Sequence, residues 1–373
     1  MLTRSRALAG FAAAAIAAFA AAAASADEIT IGADLPLSGP NAQYGDTFSQ
    51  GANLAIADIN ADHMLSKTLV MDYEDSQALP QPGVVAANKL VNVVRVPYML
   101  SAFTSVSKAI APVAERSKTV AVNGGGVGPD LAELGDYFWN VIPLANYEVR
   151  AMVPYLVNER KLKRFVLVYV DDPLGDAILK ELRAELPKAG GELVGELKIP
   201  RDAEQFAGIA ARAREASPEV IYIASFGAQQ SQIIKQFRDN GVSQLIVSYS
   251  GFAIPAIDQE PEAKGALYTS QRMDWESNDP VTKRFVTEFK AKYGKAPNYY
   301  GANYYNAVML FAILAQGLEK KGEAITGENL LKERRAVGTF NLVGGKMEFQ
   351  ANGSVIMPMQ INEVDGKGGH IVK

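Results

Sequence analysis

The sequence predicts an α/β protein of two lobes, each a mostly parallel sheet flanked by helices, and three observations carry that expectation. From residue 28 onward short β-rich runs alternate with amphipathic helical stretches, the order of parallel strands joined by helical crossovers. The alternation occurs twice in tandem, with a break at Val141-Ile-Pro143. Arg164 to Val170, RFVLVYV, is almost continuously apolar, as a strand covered on both faces is.

In the first half, Glu28 to Ala33 alternates polar and apolar residues with the period of a strand. Beyond the turn Pro36-Leu-Ser-Gly-Pro40, Phe48, Ala52, Ala55 and Ile59 fall at i, i+4, i+7 and i+11, one face of a helix. Strands are expected at Thr68 to Tyr73, Pro97 to Leu100 and Thr119 to Val122, with helices at Val84 to Val94 and Lys108 to Glu115 between them. In the second half the strand at Arg164 leads to helix Ala177 to Leu186, strand Glu192 to Ile199, helix Phe206 to Ala216 and strand Val220 to Ala224. Helix Gln229 to Asp239 and strand Leu245 to Val247 follow. Long helices are expected over Asp279 to Tyr293 and Tyr299 to Leu318, and the tail from Phe349 to Val372 is rich in strand formers and glycine. Such a tail can return to complete both lobes. No fixed-period repeat or low-complexity linker interrupts this order, which excludes a solenoid or a string of separate modules.

Composition narrows the chemistry. The 373 residues, 48% hydrophobic and 21% charged, suit a soluble chain of about two domains. With no cysteine there are no disulfides, thiolate metal sites, cysteine nucleophiles or lipid-modified N-terminal cysteine. The two histidines, His63 and His370, lie near opposite ends of the chain, which disfavours a His-centred triad or a multi-histidine metal site. No metal and no cofactor are expected.

The first 26 residues read as a secretory signal: Arg4 and Arg6, an alanine-dominated apolar run from Leu8 to Ala24, and small residues at Ala24-Ser25-Ala26. An uncleaved anchor is the alternative, since the run approaches spanning length, but its alanine content and small-residue exit favour cleavage. Loss of the two arginines makes the mature chain more acidic than the formal net charge of -4. A soluble, acidic, exported protein without a lipid tether is expected in the periplasm as a monomer, and not on nucleic acid.

No catalytic constellation emerges. Gly124-Gly-Gly-Val-Gly128 lacks the spacing and the Lys-Ser/Thr of a phosphate loop and reads as a strand-to-helix turn. There is no nucleophile elbow and no paired carboxylate in an acid/base setting. Asp171-Asp172 reads as the cap of the coming helix in preference to a coordinating pair. Open α/β sheets place ligands at strand C-terminal ends. Here those ends carry hydroxyls, glycines and aromatics: Asp34 to Ser38, Phe103-Thr-Ser105, Asn123 to Gly126, Asp171 to Gly175, Ser225-Phe-Gly227 and Tyr249-Ser-Gly251. Thr104 and Ser105 precede a helix, so their hydroxyls and the helix amides suit a carboxylate. Tyr44, Phe103, Phe226, Tyr249, Tyr299 and Tyr300 suit the walls around a flat apolar ligand, although each taken singly suits the core as well.

The opening Ile29-Thr-Ile-Gly-Ala-Asp-Leu-Pro-Leu-Ser-Gly-Pro-Asn-Ala-Gln-Tyr-Gly45, continuing to Gly51-Ala-Asn-Leu-Ala-Ile-Ala-Asp-Ile-Asn60, resembles type I periplasmic binding proteins of the branched-chain amino acid (Leu/Ile/Val-binding) family of ABC importers. Ala87-Asn-Lys-Leu-Val91, Ile110-Ala-Pro-Val-Ala114, Phe138-Trp-Asn-Val-Ile-Pro143, Ile233 to Gly241 and Tyr305-Asn-Ala-Val308 extend the resemblance in order along the mature chain. It implies two lobes joined by a three-stranded hinge, closing on a small molecule and docking on permease subunits in the inner membrane. The implied division is residues 27–144 plus 273–352 and residues 145–272 plus 353–373.

Carried over by position, the family's site falls on Tyr44, on the carboxylate-binding segment Phe103-Thr104-Ser105, and on Gly125 and Gly126, which supply a carbonyl to the ligand's ammonium. Val127 stands where a threonine grips an amino acid's polar head, and Ser250 stands where an acid pairs with the ammonium. Leu174, Phe226 and Tyr300 occupy the family's aromatic positions. Val127 and Ser250 therefore remove the groups that an α-ammonium uses, and burying an ammonium without acceptors costs several kcal/mol. A carboxylate without an α-amino group, with a ring for the aromatic walls, is the ligand this implies: a benzoate, hydroxybenzoate, cinnamate or aryl-keto acid. Asp258 and Glu260 lie near enough to Ser250 in sequence to replace it as the acid. A ligand sensor feeding a receptor is the alternative role, and a secreted enzyme is disfavoured by the missing motifs.

Overall fold

A computed structural model describes residues 28–373; the secretory signal read from residues 1–26 lies outside the described residues. The first lobe is built on five parallel strands, β1 (Glu28–Leu35), β2 (Thr68–Asp75), β3 (Tyr98–Ser101), β4 (Val120–Asn123) and β5 (Phe138–Asn140), in the spatial order β2-β1-β3-β4-β5. Its crossovers are α1 (Ala42–Ala61), α2 (Pro80–Lys89), which runs on into a π turn at Leu90–Val94, and α3 (Thr104–Ser117).

The second lobe opens with α4 (Ala145–Pro154) and continues through β6 (Arg164–Val170), α5 (Pro173–Ala189), β7 (Glu192–Ile199), α6 (Ala207–Glu215), β8 (Val220–Ala224), α7 (Gly227–Asp239), β9 (Leu245–Ser248) and β10 (Leu267–Gln271). The chain then returns to the first lobe as α8 (Pro280–Tyr293), α9 (Tyr299–Lys321), α10 (Gly327–Val337) and the hairpin β11 (Thr339–Leu342) and β12 (Gly345–Glu348). It ends in the second sheet with β13 (Met359–Val364) and β14 (Gly369–Ile371), both antiparallel to their neighbours. The seven-stranded order is β14-β13-β10-β9-β8-β6-β7. Two of the connecting segments touch: Arg272 donates its backbone N–H to the Pro358 carbonyl at 2.7 Å.

The sequence pattern located the strands at 164–170, 192–199 and 220–224 to the residue; the apolar runs of the first and third are covered, whereas Glu192–Ile199 is buried only at Leu197 and Ile199. It left β5, β10, α4, α10 and the β11–β12 hairpin unassigned. These elements are short or carry no clean period, and tertiary contacts hold them in place.

One crossing positions the cleft. Helices α1 and α9 pack so closely at Gly51 that a Cβ there would lie 2.0 Å from the Gly301 carbonyl oxygen. A turn away, Phe48 and Tyr304 stack with ring centroids 4.3 Å apart. Both helices therefore present their N-terminal ends to the gap between lobes. No helix among the described residues is long and apolar enough to cross a membrane.

Candidate ligand-binding site

The gap between lobes is walled at its centre by residues from the strand ends and helix starts of both. Phe103 joins β3 to α3 with φ +63° and ψ 136°, a conformation that a residue with a Cβ adopts only under constraint. Its ring meets the edge of Tyr44 at 5.5 Å on one side and the ring of Phe226 from the second lobe at 5.3 Å on the other. Thr104, Gly125, Gly126 and Val127 continue the first-lobe wall, Leu174 and Phe226 form the second-lobe wall, and Tyr300 enters from the start of α9. The structure thus gathers nine of the residues placed by family position around one cavity, together with Tyr249 and Asp172 from the strand ends, and adds Phe48 to them. The enclosed space is small, about 20 Å³, so a ring-sized guest is admitted only as the walls part.

Two of the residues placed by family position do not line it, and Tyr299, expected in the wall, borders a different cavity. Ser105 sits in the first turn of α3 with its hydroxyl buried and without a hydrogen-bond partner. Ser250 faces away and is taken up by Glu148 of α4: the Ser250 backbone N–H donates to Glu148 Oε2 at 2.6 Å and its hydroxyl to Oε1 at 2.7 Å. An acid does stand at the Ser250 position in space, but all of its work is internal. Thr269 donates to Glu148 as well, at 3.0 Å. Burial raises the Glu148 carboxyl to about 7 against the pull of these donors. Asp258 does not replace it at the aromatic cavity. It lines a separate, larger cavity of about 310 Å³ with Tyr268, Gln271, Trp275 and Tyr299, and burial with the nearby Asp365 raises its carboxyl to about 6. Glu260 accepts a bond from the Ser231 hydroxyl and lines neither cavity.

The glycine loop is organised by Asn123. Its Oδ1 accepts the backbone N–H of Gly126 at 2.7 Å and of Gly125 at 3.2 Å, which fixes the amide so that Nδ2 donates to the Gly126 carbonyl at 2.7 Å. Of the Gly125-Gly126 segment that the resemblance assigned to an ammonium, the Gly126 carbonyl is therefore already engaged by Asn123. The glycines are needed for space: a Cβ on Gly126 would lie 2.9 Å from Phe103 C and Thr104 N, and one on Gly125 would lie 2.9 Å from the Phe48 ring. The Val127 carbonyl accepts the Ala145 N–H at 2.6 Å.

The donors point the other way, toward an anion. Thr104 Oγ1 accepts from the Gly128 N–H at 3.1 Å, which leaves its hydroxyl proton free to donate. The first turn of α3 has no side-chain cap, so its amides and the positive end of the helix remain available beside Phe103. Asp172 is the only carboxylate on the cavity wall among the described residues; one of its oxygens accepts a hydrogen bond, and the other, which accepts none, is held in an ion pair. Oδ1 caps α5 by accepting the Leu174 N–H at 3.0 Å, and Oδ2 lies 2.9 Å from Arg201 Nη1. The capping role expected of Asp172 is the one seen, while its neighbour Asp171 pairs with Lys198 on the exposed surface at 2.7 Å.

Contacts also tie the lobes directly. The Tyr44 hydroxyl accepts the Gly227 N–H and donates to the Gly251 carbonyl, each at 3.3 Å, and Tyr299 donates its hydroxyl to the Ser250 carbonyl. Of these residues, Glu148, Phe48 and Arg201 escaped sequence reasoning. Phe48 carried only a core-helix signal, and Glu148 and Arg201 are single charged residues with no local pattern around them.

Comparison with known proteins gives one consistent answer. A family model described as a periplasmic binding protein matches residues 28–369. Among curated relatives, a Leu/Ile/Val-binding protein homolog of Brucella melitensis is 24% identical over 340 residues, 89% of each chain. A leucine-binding protein of Thermotoga maritima superposes with a TM-score of 0.85 at 21% identity, over 92% of this chain and 98% of that one. A solute-binding protein of an R. palustris ABC transporter, solved in complex with benzoate, superposes with a TM-score of 0.82 at 16% identity, covering 92% and 95%.

Proposed function

The chain belongs to the periplasmic binding protein family, and from that premise we propose that it is the solute-binding component of an ABC importer for a small aromatic carboxylate lacking an α-amino group. The observation that carries this reading is the imbalance of the cavity. Donors at the start of α3 are free, whereas Gly126 O, Val127 O and Asp172 Oδ1 already accept protein donors and Asp172 Oδ2 is paired with Arg201.

In this reading the ligand's carboxylate meets the Thr104 hydroxyl and the α3 amides, and its ring lies among Phe103, Tyr44, Tyr300 and Phe226. The lobes, residues 27–144 plus 273–352 and 145–272 plus 353–373, rotate about the connecting segments. Because the ligand touches both, it favours the closed arrangement. It is held by hydroxyl, amides and aromatic walls, and is handed unchanged to permease subunits in the inner membrane by a monomeric protein secreted through a cleaved signal. The benzoate complex of a structural neighbour supports this reading. The names of the Leu/Ile/Val-binding relatives support the alternative, a branched-chain amino acid. A thermal-shift screen over aromatic acids, the common amino acids, short amides and urea separates them. Stabilisation by benzoate, hydroxybenzoate or cinnamate is expected, and stabilisation by leucine, isoleucine or valine would overturn the proposal.

A further inference from the structure

Arg201 follows β7, in a second-lobe loop outside the cavity wall, yet it touches three parts of the molecule that matter to the cavity. Its Nη1 lies 2.9 Å from Asp172 Oδ2, its Nη2 donates to the Ala78 carbonyl of the first lobe at 3.1 Å, and its guanidinium carbon sits 5.8 Å from the centroid of the Phe226 ring. The Ala78 carbonyl is presented by an unusual turn. Gln77 and Ala78 both have left-handed backbone, φ +52° and +57°, although neither is glycine. Asp75 braces that turn by accepting the Gln77 and Leu37 N–H groups at 2.8 and 2.9 Å. Strain of this kind persists where surrounding structure over-determines it.

We infer that Arg201 is a cross-cleft latch that also sets the charge the cavity accepts. The charge argument rests on the carboxylate reading above; the latch does not. Asp172 is buried and is the cavity's own carboxylate, so without a cation beside it the wall is negative where the ligand would be negative too. Arg201 cancels that charge while remaining outside the wall, and its planar fork serves Asp172 and Ala78 at once, which an ammonium does less well. A ligand that presses on Phe226 or Asp172 acts on the same side chain that spans the lobes, so filling the cavity and seating the latch are coupled.

The test compares wild type with R201Q, R201K, D172N and the R201Q/D172N double variant. D172N preserves the helix cap, since asparagine caps as well as aspartate. Benzoate and benzylamine serve as matched probes of opposite charge, by calorimetry, and small-angle scattering of the ligand-free proteins reports lobe separation. R201Q should weaken benzoate by about tenfold or more and improve benzylamine relative to it. The double variant should recover most of the benzoate loss, and R201K should retain benzoate better than R201Q. Ligand-free R201Q should have a larger radius of gyration than wild type. Unchanged benzoate affinity in R201Q, or a double variant no better than R201Q, would overturn the charge role, and unchanged scattering would overturn the latch. If wild type binds neither probe, the ligand reading fails, and the scattering comparison still decides the latch.

Discussion

Ser250 gives both its backbone N–H and its hydroxyl to Glu148, which lies 102 residues earlier in the chain and is 1% exposed. The pair fastens the loop after β9 to α4. Burial holds the Glu148 carboxyl near 7, above its ordinary 4.5, so between those values the folded protein binds more protons than the unfolded chain. This group's contribution to stability is therefore complete below about pH 4.5, falls as pH rises toward 7, and is level above that. The loss is at most roughly 3 kcal/mol. Denaturant unfolding of wild type and E148Q at several pH values checks it. E148Q should lack this fall, and at pH 5 should be less stable by about 1–3 kcal/mol, because its amide cannot accept from all three donors.

Tyr44 links the lobes through one hydroxyl, accepting from Gly227 N and donating to Gly251 O. Y44F keeps the ring among its aromatic neighbours and leaves those two groups unpaired only when the lobes are closed. Ligand affinity should fall about tenfold, equivalent to about 1.4 kcal/mol, with little change in the melting temperature of the ligand-free protein. Calorimetric titration beside a thermal melt separates the two effects.

Gly51 is required by contact with backbone. G51A would set its Cβ 2.0 Å from Gly301 O and push α1 from α9, whereas G301A would bring its Cβ only to 3.3 Å from the edge of Phe289. Thermal unfolding should show G51A destabilised by about 3 kcal/mol and G301A by clearly less. Equal losses would mean that helix propensity governs both.

Much of this molecule is legible in its sequence, and the unread part has physical causes. The strand at Arg164–Val170 announces itself because every residue after Arg164 is buried, and the start of α3 is legible because the hydroxyl pair Thr104-Ser105 opens a helix at a strand end. Local pattern carries both. Glu148 could not be found that way: it sits alone on α4, and its meaning comes from a loop 102 residues on. Ser250 was placed by family position, and its side chain turns out to serve the scaffold. Asn123 was visible at a strand end, but its grip on the Gly126 carbonyl depends on a tight loop that composition does not describe.

Arg334 is 2% exposed, lies between the rings of Trp139 and Phe349 at 4.7 and 5.1 Å, and has no hydrogen-bond partner for Nε or Nη1. Burial lowers its pKa to about 10. A charge so placed gains from the rings but loses its hydration. R334A should cost about 3 kcal/mol through lost packing, whereas R334M, which fills the slot without the charge, should stay within about 1 kcal/mol of wild type. Chemical denaturation of the two variants decides whether packing or charge holds the sandwich together.

The most direct measurement uses ligands that differ only in the α-amino group: 3-phenylpropanoate against phenylalanine, and 4-methylpentanoate against leucine, each titrated calorimetrically into the purified protein. With Gly126 O, Val127 O and Asp172 already engaged, the amino-free member of each pair should bind more tightly, by about a hundredfold for the aromatic pair. Tighter binding of phenylalanine or leucine than of its deaminated partner would contradict an aromatic-carboxylate site.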